Sequence, residues 1–221
     1  MSTEDPSFLA AVIRKLAPEP QKVRDWVREV KRENPTLSND EIAEYLSDRI
    51  VWLYTSQGAA LALPGAIPGF GTIAQIGVEL SSVGADVTLM IRNQTYLVFA
   101  IAECYGYKGR ETLIQDSLIC MGLWTNALTL TKTGAIKLGT KVVEANFKKR
   151  FSAEIFKAIN KKVSTTILTK YGTKRGGVVV GKLIPFGVGV IVGGGFSYLT
   201  MKNFGGSTRK YYSLKVATKG R

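Results

Sequence analysis

Between Lys182 and Lys202 the chain reads Leu183-Ile-Pro-Phe-Gly-Val-Gly-Val-Ile-Val-Gly-Gly-Gly-Phe-Ser-Tyr-Leu-Thr-Met201, nineteen residues without a charge. As a helix, a run of that length just reaches across bilayer hydrocarbon, which takes about 20 residues. Basic residues bracket it: Lys174, Arg175 and Lys182 before, Lys202, Arg209 and Lys210 after. Such flanks suit anionic headgroups. Pro185 and the glycines at 187, 189, 193, 194 and 195 make it a poor helix by itself, since an interior glycine costs about 1 kcal/mol against alanine. The segment needs close packing, either from another helix of the same protein or from lipid. Gly189-x-x-x-Gly193 is a small-xxx-small face of the kind that lets helix backbones approach closely.

A second uncharged run, residues 50–78, spans twenty-nine positions. Pro64 and Pro68 break it, with Gly58, Gly65, Gly69 and Gly71 nearby. The pattern predicts a helix to about Ala62, a Pro/Gly turn over 63–71 and a long, mostly apolar helix over 72–105. Interrupted in this way, it reads as a buried hairpin of helices rather than a crossing. Ala66-Ile-Pro-Gly-Phe-Gly71 echoes Leu183-Ile-Pro-Phe-Gly187, which suggests a pseudo-symmetric pair of glycine-bearing helices.

Around these runs the apolar spacing is helical. Phe8, Leu9, Val12, Ile13 and Leu16 form one stripe, ended by Pro18 and Pro20. Val23, Trp26, Val27 and Val30 form a second, at i, i+3, i+4 and i+7. Ser38 with Glu41 three residues on predicts a capping box, opening a helix that buries Ile42, Leu46, Ile50 and Leu53. Tyr105-Gly-Tyr-Lys-Gly109 predicts a loop. Helices are then expected over 110–128, over 133–150 with Ile136, Leu138, Val142 and Val143, and over 152–170. No stretch alternates strongly enough to predict strands, and the tail from Arg209 is expected to fray. The fold class is all-α, a multi-helix bundle around the Gly/Pro-broken apolar hairpin. Residues 1–37 form N-terminal amphipathic helices, 38–212 the helical domain and 213–221 a basic tail.

Composition narrows the chemistry. The chain has 221 residues and no histidine. That removes the commonest general base, the usual triads and most transition-metal sites. Cys104 and Cys120 have no metal-type spacing and read as reduced, buried thiols in a cytosol-facing protein. The opening residues are acidic with no apolar core behind them, unlike a secretory signal. The net charge is +13 and it is segregated. Residues 1–57 hold 8 basic and 10 acidic side chains, 58–147 hold 6 and 6, and 148–221 hold 16 and one. An excess of +15 in the last third points to an anionic partner, a phospholipid surface or a nucleic acid. Phe147, Phe151, Phe156, Tyr171, Phe204, Tyr211 and Tyr212 lie among those charges. Aromatics beside lysines describe a membrane-interface belt better than a single-strand nucleic-acid surface, because Phe156 falls on an apolar helix stripe and no nucleic-acid motif is present.

Near-misses are informative. Gly176-Gly-Val-Val-Val-Gly-Lys182 matches G-x4-G-K, but Leu183 stands where a phosphate-binding loop needs Ser or Thr. Gly187, Gly189 and Gly193 miss the dinucleotide spacing. Glu79 and Asp86, seven apart on one helix, would form a paired-carboxylate site for a cation or for acid–base work. The simpler reading is a polar stripe or ion pairing.

Two stretches resemble the EcsC-like family of bacterial α-helical proteins. One is Gly58-Ala-Ala-Leu-Ala-Leu-Pro-Gly-Ala-Ile-Pro-Gly69, leading to Tyr105-Gly106-Tyr107. The other is Gly181-Lys-Leu-Ile-Pro-Phe-Gly-Val-Gly-Val-Ile-Val-Gly-Gly-Gly195. The resemblance covers roughly residues 50–212. It departs at Phe196-Ser197-Tyr198, where the family often carries Asn. It implies a membrane-associated helical domain linked by name to an exporter operon, with a membrane transport or secretion protein as a further expected partner. It supplies no catalytic residues.

The sequence thus predicts a non-enzymatic protein on the cytoplasmic face of a membrane, without cofactor or metal. Lys148, Lys149, Arg150, Lys161, Lys162, Lys174, Arg175, Lys182, Lys202, Arg209 and Lys210 are expected to meet anionic lipid. Pro64, Pro68, Pro185, Gly187, Gly189 and Gly193 are expected to shape an inserting or tightly packed hairpin, which in a bilayer could line a pore. The alternative is a nucleic-acid-binding module using the same basic surface.

Overall fold

The computed structural model describes residues 6–57, 85–131, 136–138, 141–142, 161 and 188–219. They form an all-α multi-helix bundle with a small antiparallel β-meander. The elements are α1 (Pro6–Leu16), α2 (Pro20–Glu33), α3 (Asn39–Gln57), α4 (Ala85–Cys104), α5 (Arg110–Trp124), β1 (Thr129–Leu130), β2 (Ile136–Leu138), β3 (Lys141–Val142) and α6 (Val188–Lys219).

Helix α4 is the axis, and α1, α2, α3, α5 and α6 all pack on it. The reason is in its sequence. Tyr96-Leu-Val-Phe-Ala-Ile-Ala102 offers no polar face, and all seven residues are buried, as expected of a helix surrounded on every side. The second arm of the expected hairpin therefore supplies the centre, while its Pro/Gly turn at 63–71 lies outside the described residues. One apolar core runs from Val12 to Tyr212, so helices α1 and α2 share it with the residues beyond 38.

The first three helices form where the stripes predict. Val23, Trp26, Val27 and Val30 are buried on α2, and Ile42, Leu46, Ile50 and Leu53 on α3. Pro20 sits in the first turn of α2, where its missing N–H costs nothing. The capping box is formed: Ser38 N–H and Oγ donate to Glu41 Oε2 at 2.8 and 2.7 Å, and Glu41 N–H donates to Ser38 Oγ at 3.3 Å. These bonds hold the Glu41 carboxyl below its ordinary range. At its C-terminus α4 closes with Gly106 N–H bonded to the Glu103 carbonyl and Tyr107 N–H to that of Ala102. Gly106 takes φ +76°, the left-handed turn of a Schellman cap. Lys31 Nζ reaches the Cys104 carbonyl at 3.0 Å and places a cation at the negative end of α4.

Three expectations are corrected. Helix α5 stops at Trp124, short of 128: Asn126 turns left-handed at φ +60°, and Leu128 folds back so that its N–H bonds the Gly122 carbonyl at 2.9 Å. Residues 136–138 and 141–142 are strands and not part of a helix over 133–150; Thr129 pairs with Lys137, and Lys137 with Val142. Ile136 and Leu138 are two apart, a strand period that does not suit one helix face. Finally, the tail from Arg209 is not frayed. It continues α6 to Lys219, with Tyr211 and Tyr212 buried. Of the helix expected over 152–170, only Lys161 is described, and it is helical.

Candidate functional site

Asp116 on α5 is 3 % exposed, a position where a carboxylate must be paired. Its partners come from the last turns of α6. Tyr211 Oη donates to Oδ1 at 2.7 Å and Tyr212 Oη to Oδ2 at 2.8 Å. Lys215 Nζ bonds both oxygens, at 2.9 and 2.8 Å. The ammonium also lies over the rings of Tyr107, Tyr211 and Tyr212, with centroids at 4.6, 5.0 and 5.5 Å. Cation–π attraction of this kind grows when the cation is desolvated. Burial and the Asp116 charge push both phenols well above their ordinary range. Burial likewise pushes up the Cys120 thiol. No phenol or thiol of this cluster is poised to ionise near neutral pH, and the carboxylate is saturated with donors. The cluster holds α6 to α5 and to the loop after α4.

Further polar contacts tie the same end of the bundle. Arg14 forks onto Glu111 at 2.8 and 3.3 Å, Arg24 meets Glu103 at 3.4 Å, and Arg209 meets Glu44 at 3.0 Å. Tyr105 Oη donates to Asp40 Oδ1.

Toward the opposite end the surface changes character. Trp52 is 69 % exposed and Leu199 58 %. Trp52 lies off the Ile42–Leu46–Ile50–Leu53 stripe, so α3 turns it outward. Exposed Lys202 donates to Tyr198 Oη at 3.1 Å and covers its ring. Exposed Arg49 donates to Tyr45 Oη at 3.0 Å.

Of the basic residues expected to contact lipid, Lys161, Lys202 and Lys210 are exposed, and Arg209 is partly exposed beside Glu44. Lys148, Lys149, Arg150, Lys162, Lys174, Arg175 and Lys182 lie outside the described residues, as do Pro64, Pro68, Pro185, Gly187 and Glu79. Gly189 and Gly193 fall in the first turns of α6, and Asp86 in the first turn of α4. Among the described residues, no group of three or more acidic or cysteine side chains could hold a metal, and no helix is long and apolar enough to cross a membrane. Cys104 and Cys120 are free and buried.

The Asp116 cluster was missed in the sequence because residues beyond 208 read as a basic tail. The spacing Phe204, Thr208, Tyr211, Tyr212, Lys215 continues one helical face and would have revealed it. No protein-family model, curated protein or solved structure matches the chain.

Proposed function

We propose that this protein is a non-enzymatic, peripheral membrane protein that docks on anionic phospholipid at the cytoplasmic face. The observation that carries the reading is charge segregation: an excess of +15 in residues 148–221 surrounds the uncharged run 183–201. Lys202 and Lys210 are exposed on α6. Six such charges at a leaflet, at roughly 1 kcal/mol each, give about 6 kcal/mol before ordering costs, enough for reversible attachment without a crossing. Insertion of the glycine-rich segment, and any pore it forms, would be a second step. The test is flotation of purified protein with phosphatidylglycerol-containing and with neutral vesicles at physiological salt. Flotation with the anionic vesicles alone supports the reading, and no flotation with either overturns it.

A further inference from the structure

We infer that the end of the bundle bearing Trp52, Tyr198 and Leu199 is the membrane-contacting end, with Trp52 and Leu199 entering the interface of an anionic leaflet and Lys202 meeting its headgroups. The inference rests on the membrane reading above and names the surface that reading requires.

The helix register brings these residues together. Arg209 pairs with Glu44, and Gly205 lies against Ser47, so α3 and α6 run antiparallel. Continuing that register toward the C-terminus of α3 brings Trp52 level with the Tyr198–Thr200 turn. Helix α4 runs parallel to α6, because Leu97 lies near Gly205 and Tyr105 stacks on Tyr212. The C-terminus of α3 and the N-termini of α4 and α6 therefore share one end.

Both uncharged runs of the sequence meet the bundle there. Trp52 belongs to residues 50–78 and Leu199 to residues 183–201. Two large apolar side chains turned to solvent at that place are informative, whereas scattered exposed leucines are not. Cations flank them. Lys202 stands one turn along α6 from Tyr198, and Arg49 one turn back along α3. Asp48, next to Arg49 on α3, and Glu44 both act on Lys202, and Glu44 also pairs with Arg209. An indole and a leucine at one level, with cations on long stems beside them, are the residue types of a membrane interface. The opposite end carries Asp116–Lys215, Arg14–Glu111 and Arg209–Glu44.

The tryptophans supply a reporter. Trp26 and Trp124 are buried and Trp52 is exposed, so acrylamide quenching of the intact chain reads Trp52. On adding phosphatidylglycerol/phosphatidylcholine vesicles, Trp52 emission should shift to the blue, lose most of its acrylamide quenching and be quenched by brominated lipid. Trp52→Phe should abolish all three changes. Trp52→Ser and Leu199→Ser should each weaken vesicle binding by about tenfold, the cost of leaving one large side chain in water. Val216→Ser removes an exposed apolar residue about 25 Å along α6 and should leave binding unchanged. Flotation with unaltered Trp52 quenching would overturn this placement and leave the membrane reading standing. Absence of flotation would overturn both.

Discussion

The two oxygens of Asp116 accept four hydrogen bonds from three residues, Tyr211, Tyr212 and Lys215, that would lose their acceptor without it. Asp116→Ala leaves two buried phenol hydroxyls and the Lys215 ammonium without their acceptor. Removing one partner of a buried pair costs more than the pair contributes, so the unfolding free energy should fall by about 3 kcal/mol. Urea unfolding followed by circular dichroism measures this. Gln94 is the opposite case. It is 1 % exposed on α4, and among the described residues neither its amide oxygen nor its nitrogen has a hydrogen-bond partner. Gln94→Met keeps the volume and removes two desolvated polar atoms. It should raise stability by roughly 1–2 kcal/mol. A loss of stability would mean that the amide is satisfied in solution.

At the scale of elements, legibility followed periodicity. Helices α1, α2 and α3 could be read because their stripes keep one spacing and because Pro20 and Ser38 mark their starts. Helix α4 could be placed as buried because its apolar run has no polar face. The meander was hidden: Thr129, Leu130, Ile136 and Leu138 alternate over pieces too short to outweigh the helical spacings around them. The end of α6 was hidden by its lysines, since a charged residue near a terminus reads as solvent-facing until its partner is known. Lys215 finds Asp116 ninety-nine residues away, which no local pattern shows. The glycines of α6 raised the same difficulty, and Gly205 resolves it at one point. A Cβ there would collide with Ser47 Oγ, so this glycine lets α3 and α6 touch. Gly205→Ala should cost about 1–3 kcal/mol. Adding Ser47→Ala, which deletes the colliding oxygen, should restore most of the loss. A thermal-denaturation double-mutant cycle measures the coupling, and additive losses would show that the contact is not what requires glycine.

At the scale of the whole molecule, the described bundle has two unlike ends, and they should respond to different conditions. The Tyr105 end is held by buried groups that must remain protonated. Burial pushes the Cys104 thiol from 9.0 to about 12 and raises both Tyr211 and Tyr212 above 10.0. A group with a raised folded pKa stabilises the fold fully below its unfolded pKa and loses that contribution as pH climbs toward the folded value. Stability should therefore be level up to about pH 9 and fall between pH 9 and 12, which urea midpoints measured across that range would show. The folded protein should also leave both thiols unreacted with a thiol-specific reagent at pH 8 until it is unfolded. The Trp52 end carries the membrane proposal, whose motive in the sequence is charge and hydropathy. Its surface could be named only once α3 and α6 were set antiparallel.

The most direct measurement is flotation with phosphatidylglycerol-containing vesicles across a sodium chloride titration, beside the same titration with a random-sequence duplex DNA. The account predicts binding to anionic vesicles that weakens as salt rises, no binding to neutral vesicles, and weaker binding to the duplex than to the anionic vesicles. Salt-resistant vesicle binding would report insertion of the glycine-rich segment. Salt-sensitive retention of the duplex, with no flotation of the protein, would contradict the account and assign the basic third to nucleic acid.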